Sequence, residues 1–319
     1  MIPLAEIRAA AERIAGKVHR TPILSSRRLG ESFGAPLLFK CESFQKTGSF
    51  KPRGALNKVL SLTPSERDKG LVTVSAGNHA QAVAWAAAIS GASCVVVMPT
   101  GAPASKIDAV RGYGAEVVLH DDRTTLFDRL NEVREERGLT FVHPFDDPTV
   151  LAGAGTTGLE ILEDVPDADV VIVPVGGGGL LGGTASAVKQ LRPRTRVVAV
   201  ELEAGPGLAP ALAAGRPVPA PRPATVADGM TPPFVGALPL EIAREAVDEV
   251  VGVSESAIRE AMVLLFTRVK VVVEGAGAAA TAALLSGRVK VPRGARVVAL
   301  VSGGNVDLSV LAGLTEAGA

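Results

Sequence analysis

"VVIVPVGGGGLLGGTASAVK", residues 170–189, decides the architecture. A Val-rich run with no polar alternation suits a strand buried on both faces, as in a parallel sheet. It ends in four consecutive glycines, Gly176, Gly177, Gly178 and Gly179, and Leu180 then opens a helix-forming stretch. Glycines let the backbone come close to a ligand, and a helix start offers free N–H donors at the positive end of its dipole. An anion, most naturally a phosphate, suits this turn; close strand-to-helix packing is the plainer alternative. The segment also admits a competitor. Gly177, Gly179 and Gly182 fit G-x-G-x-x-G, and Glu201 ends the next strand about 20 residues on, where a ribose-binding acid of an NAD site would stand.

Outward from this unit the same alternation repeats. Strands are expected at 37–40, 71–75, 94–99, 116–120, 169–175, 196–201 and 296–302, and helices at 53–62, 78–90, 104–112, 123–137, 149–163, 179–191, 255–268 and 275–286. This is an α/β chain with parallel strands and helical crossovers. "GRPVPAPRPATVADGMTPPFVGALP" (215–239) must be irregular, because proline removes donors. "FVHPFDDP" (141–148) marks a domain boundary.

Bulk properties narrow the function. At 319 residues and 47% hydrophobic, the chain can bury a large core, in two domains. Lys plus Arg balances Asp plus Glu, 33 against 33, so no global field favours nucleic acid or an anionic membrane. Cys41 and Cys94 lack metal-type spacing and read as buried hydrophobes in a reducing compartment. The first 17 residues read as an amphipathic helix, and no apolar run approaches the roughly 20 residues that span a bilayer. A soluble, cytoplasmic protein is expected.

Two further turns follow strands, "SAGNHA" (75–80) and "SGGN" (302–305), at the strand ends where ligands of open α/β sheets bind. The first offers Ser75, Ala76, Gly77, Asn78 and His79 at a helix mouth, suited to a carboxylate or serving as an ordinary cap. The second brings Ser302 to a strand end with glycines beside it. Lys51 sits in "SFKPRGA" (49–55), where Pro52 favours a helix start. The helix dipole and partial burial both disfavour an ammonium there. A neutral amine is what Schiff-base formation with an aldehyde requires. Phe50 would stand on another face, free to lie against an aromatic ring.

In order and spacing, SFKPRGA, SAGNHAQAVA, PVGGGGLLGG, VVEGAGAAA and SGGNVDL resemble the fold-type II pyridoxal-phosphate enzymes, and among them the threonine/serine dehydratases and their relative serine racemase. The resemblance runs from about residue 17 to about 310. It implies a tryptophan synthase beta-like fold of two open, twisted, mostly parallel sheets with flanking helices. Residues 1–44 and 145–319 would form a large cofactor-binding domain and 45–144 a small one. It implies pyridoxal 5'-phosphate, with Lys51 as its Schiff-base lysine and general base and Phe50 on the ring. Asn78 would meet the phenolic oxygen, Gly176–Gly179 with Leu180 the phosphate, and Ser302 the ring nitrogen, with Gly229 lining the site. Ser75–His79 would take the substrate carboxylate. The implied reaction is β-elimination from L-threonine or L-serine to a 2-oxo acid and ammonia. Another β-hydroxy amino acid such as threo-3-hydroxyaspartate is an alternative substrate. The neutral Ser302 hydroxyl favours elimination over transamination.

The sequence departs from the family at several places. Serine racemases carry a serine where Ala76 stands, and a methyl group cannot exchange a proton. Ala154 replaces the glutamine of a GQGT motif. A divalent cation would rest on Glu201 and the carbonyl of Gly205. Gly207 stands where relatives with that site carry aspartate, which leaves a weak oxygen set. No regulatory domain is expected after residue 319, and relatives suggest a homodimer or homotetramer.

Overall fold

The computed structural model describes residues 1–316. Along the chain run α1 (Leu4–Ile14), β1 (Ile23–Ser25), α2 (Arg27–Phe33), β2 (Leu37–Cys41), α3 (Lys51–Ser61), α4 (Pro64–Asp68), β3 (Leu71–Val74) and α5 (Asn78–Ser90). Then come β4 (Cys94–Pro99), α6 (Ala104–Gly112), β5 (Glu116–His120), α7 (Leu126–Arg137), β6 (Thr140–Phe141) and α8 (Pro148–Asp164). The remainder is β7 (Val170–Pro174), α9 (Gly179–Leu191), β8 (Arg196–Leu202), α10 (Leu208–Ala214), α11 (Ala237–Ala246), β9 (Glu249–Val253), α12 (Glu255–Leu264), α13 (Gly275–Leu285), β10 (Val297–Val301) and α14 (Leu308–Glu316).

Two sheets result. The larger has the order β1-β2-β10-β7-β8-β9 and the smaller β5-β4-β3-β6. Every pairing is parallel except β1 with β2. Burial on both faces explains the Val-rich strands. Val170 and Ile172 join one apolar layer with Ala279 and Ala283 of α13, while Val171 and Val173 join the opposite layer with Ala185 and Val188 of α9.

All seven expected strands form, with shifts of a residue or so at their ends. Three strands escape the sequence reading. β1 and β6 are very short, and β9, "EVVGV", is a half-exposed edge strand whose glutamate and glycine mask its signal. The helix expected at 255–268 leaves regular α geometry at Leu265, where a π-turn runs to Val269 and Lys270 closes it at φ +66°. The stretch expected to be irregular, 215–239, is so up to residue 236 apart from one short turn at 228–230, but α11 starts at Ala237 and takes Pro239 into its first turn, where a missing N–H costs no helix bond.

A buried charge network fixes the start of α3 to the large sheet. Arg53, fully buried, donates to Glu42 Oε2 at 2.8 Å, to Glu160 Oε1 at 2.7 Å and to Thr156 Oγ1 at 3.0 Å. Lys40 Nζ donates to the same Glu160 at 2.5 Å. The pairs are mutually satisfied, which is the condition for charges to survive out of water.

Candidate active site

Four pieces of chain meet between the sheets: the start of α3 and the turns after β3, β7 and β10. They line one pocket of about 580 Å³. Its walls hold Phe50, Lys51, Ser75, Ala76, Gly77, Asn78, His79, Gly176, Gly177, Gly178, Gly179, Leu180, Gly229 and Ser302. The segments are stitched together by backbone. Phe50 N–H donates to Ser302 O at 3.0 Å, Gly304 N–H donates to Gly48 O at 2.8 Å, and Ser49 pairs with Gly303 in an isolated bridge.

Lys51 is the first residue of α3, with Phe50 at the cap position and Pro52 behind it. This places it one residue inside the helix, where the positive end of the dipole still acts. Its Nζ donates to Pro144 O at 2.7 Å and lies 5.1 Å from the Phe50 ring centroid. Loss of water pushes the amine down from 10.5 to about 8, against the pull of Glu274.

The asparagine of the second turn is held from both sides. Asn78 Nδ2 donates to Glu274 Oε1 at 2.7 Å, and Asn78 Oδ1 accepts from Asn305 Nδ2 at 2.8 Å. An amide nitrogen has two N–H groups, so one remains for a ligand. Glu274 is buried, and desolvation followed by repulsion from Asp228 raises its carboxyl from 4.5 to about 7. His79 Nε2 contacts Val142 O at 3.1 Å, and burial drives the ring well below its ordinary range, so it is neutral. With Nε2 as donor, His79 Nδ1 is left as an acceptor without a partner among the described residues.

The glycine turn is a cradle that side chains would fill. A Cβ on Gly176 would stand 2.9 Å from Gly229 O, and one on Gly179 would stand 3.1 Å from Phe145 Cα. One on Gly177 would enter the Phe145 ring. Gly178 has φ +91°, and α9 begins at the next residue, leaving first-turn N–H groups pointing at the cradle. An amine with depressed basicity and a backbone cradle at a helix start, lining one pocket, fit pyridoxal phosphate.

Glu201 and Gly205, expected at a weak cation site, stand outside the pocket, and so does Ala154. Glu201 does not fit a metal ligand or a ribose acid. Its carboxylate accepts from the N–H groups of Gly207 at 2.9 Å and Leu208 at 2.7 Å, with Ala209 at 3.3 Å, and so caps α10. Gly205 lies against Pro221 and Pro223, outside the pocket. Ala154 is buried inside α8 and does not line the pocket. Among the described residues no group of three His, Cys, Asp or Glu could hold a metal. The site residues that sequence reasoning missed are Glu274, Lys106, Asp228 and Phe145. A lone carboxylate inside "VVEGAGAAA" was the available signal for the first; nothing local marks the others.

This fold and site define a pyridoxal-phosphate enzyme of fold type II. The model of the family "Pyridoxal-phosphate dependent enzyme" matches residues 14–303, and the chain belongs to that family, whose cofactor is pyridoxal phosphate. It is 45% identical over 316 residues to the catabolic L-threonine dehydratase TdcB of Escherichia coli K12, covering 98% of this chain and 96% of that one. A threonine deaminase from T.th. superposes with TM-score 0.90 at 46% identity, over 96% of this chain and 99% of that one. Maize serine racemase superposes with TM-score 0.93 at 40% identity, over 98% and 97%.

Proposed function

We propose that the chain is a dehydratase (ammonia-lyase) that converts L-threonine, and L-serine with it, to a 2-oxo acid and ammonia. The observation that carries this reading is the Lys51 amine, driven toward its neutral form inside the pocket that holds the glycine cradle. The similarity to threonine dehydratases over nearly the full chain supports it.

Pyridoxal phosphate supplies the electron sink when it is bound. Lys51 would hold its aldehyde, and Phe50 would cover one face of the ring. N–H groups of Gly176–Gly179 and Leu180 would hold the phosphate, with Gly229 closing the cradle. Asn78 would use its free N–H on the phenolic oxygen, and Ser302 would meet the ring nitrogen with an uncharged hydroxyl. The Ser75–His79 turn would take the amino acid's carboxylate at the start of α5. The Lys51 amine would accept the α-proton, and the β-hydroxyl would leave as water on taking a proton from the cofactor phosphate or a nearby acid. Hydrolysis of the resulting enamine gives the 2-oxo acid and ammonia.

Serine racemase is the second reading, favoured by the maize structure. Ala76, which lines the pocket, opposes it, because its methyl group cannot pass a proton to the opposite face of Cα. A 2-oxo-acid release assay across serine, threonine, 3-hydroxyaspartate and their stereoisomers tests the proposal. L-threonine and L-serine should react, and substantial D-serine from L-serine would overturn it. The reading extends to two lobes, 1–44 with 145–319 and 45–144, and to a cytoplasmic homodimer or homotetramer. No described helix is long and apolar enough to cross a membrane.

A further inference from the structure

Lys106 is not accounted for by any role above, yet it reaches the pocket from α6, on the small-sheet side. Its Nζ donates to Asp228 Oδ2 at 2.5 Å, and Asp228 belongs to the 228–230 turn beside the glycine cradle. The two partners differ in surroundings. The Lys106 side chain is 15% exposed and the Asp228 side chain 59%. Water competes for an exposed carboxylate, so the ion pair is a weak tie that another anion can replace. The ammonium itself faces the second turn. A Cβ on Gly77 would have Lys106 Nζ as its nearest contact, at 3.9 Å. A second contact across the mouth, Ser105 Oγ to Asp307 Oδ1 at 3.0 Å, holds this end of α6 in place, so Lys106 needs only side-chain rotation. Other charges lining the pocket are Glu274, which interacts with both Lys106 and Asp228, Lys51 beyond it, and Arg123 and Arg222.

The geometry points to Lys106 as a second ligand of the substrate's α-carboxylate, held across the mouth by Asp228 until an amino acid arrives and then exchanged onto it. This rests on the reading of Ser75–His79 as the carboxylate turn. A charge-assisted bond added to the backbone donors of that turn would fix the carboxylate in place, and with it the orientation of Cα. The displaced Asp228 is left in water, where an unpaired carboxylate is well solvated.

The test uses the holoenzyme and the variants Lys106→Gln and Asp228→Asn, each checked for an unchanged visible cofactor band. With L-threonine, Lys106→Gln should raise KM at least about tenfold, the scale of one charge-assisted bond, and change kcat far less. On L-serinamide, which has no carboxylate, the same variant should match wild type. Asp228→Asn should lower KM for L-threonine, because the competing anion is gone. An unchanged KM for Lys106→Gln, an equal loss on serinamide, or a rise in KM for Asp228→Asn would each overturn the assignment. L-Alanine, which has no β-hydroxyl to lose, gives a dissociation constant from the visible band without turnover, and Lys106→Gln should weaken it by a similar factor. If that weakening appears while no amino acid yields a 2-oxo acid, the elimination reading fails and the carboxylate role stands. If 2-oxo acid forms and neither constant moves, the carboxylate role fails and the elimination reading stands.

Discussion

Lys51 owes its chemistry to the loss of water around one ammonium, and that loss has a measurable consequence. Its amine titrates at about 8, where an ordinary lysine titrates at 10.5. Reconstitution of apo-protein with pyridoxal phosphate should therefore quicken with pH and level off near 8, followed by the growth of the visible band. Continued acceleration to pH 10 would contradict the burial of the amine. Glu274 gives the opposite sign. Its carboxyl is raised from 4.5 to about 7, so the folded protein binds more protons than the unfolded chain across that window. Its contribution to stability is full below pH 4.5 and is lost as pH rises through 7. Relative to Glu274→Gln, wild type should lose roughly 3 kcal/mol at most over this range, read from urea unfolding of apo-protein at several pH values. Lys51 was legible in sequence because Pro52 announces a helix start beside it. Glu274 was not, because its partner Asn78 lies 196 residues away and nothing local says that the carboxyl is dry.

At the scale of elements, two junctions set the site. The turn between β7 and α9 admits no side chain at Gly177, since a Cβ there would occupy the Phe145 ring. Gly177→Ala should weaken pyridoxal-phosphate affinity by about ten- to a hundredfold through a misplaced cradle, measured by equilibrium dialysis, while far-UV circular dichroism is unchanged. The four glycines made this turn legible; which ring they accommodate was not, because Phe145 comes from another loop. The second junction is the start of α3, tied by Arg53 to Glu42 and Glu160. Arg53→Met would leave Glu42 buried without its cation and Glu160 with Lys40 alone, a loss of about 3–5 kcal/mol in thermal or urea unfolding. A variant as stable as wild type would show that the network contributes little. The sequence displayed Arg53 inside its motif without a role, since its partners lie just after β2 and on α8. Glu201 shows the reverse case. Its spacing from the glycines invited a ligand role, but the N–H groups that begin α10 already occupy its oxygens.

For the molecule as a whole, the site exists because parallel strands of two sheets end facing each other. β7 and β10 of the larger sheet and β3 of the smaller one deliver their turns to the same space. The proposed homodimer or homotetramer is a property of this scale too. Sedimentation at micromolar concentration should show a dimer or tetramer; a monomer would refute the proposed assembly. The sequence by itself determined the alternation of buried strand and helix, and the chemistry of the three turns and of Lys51. Both are local, since hydrophobic period and helix-start donors depend on residues a few places apart. Only the tertiary structure decided which polar groups lose their water. It raised the Glu274 carboxyl, brought Lys106 across the mouth to Asp228 and committed Glu201 to a helix cap, because desolvation and charge pairing depend on neighbours that the chain supplies from far away.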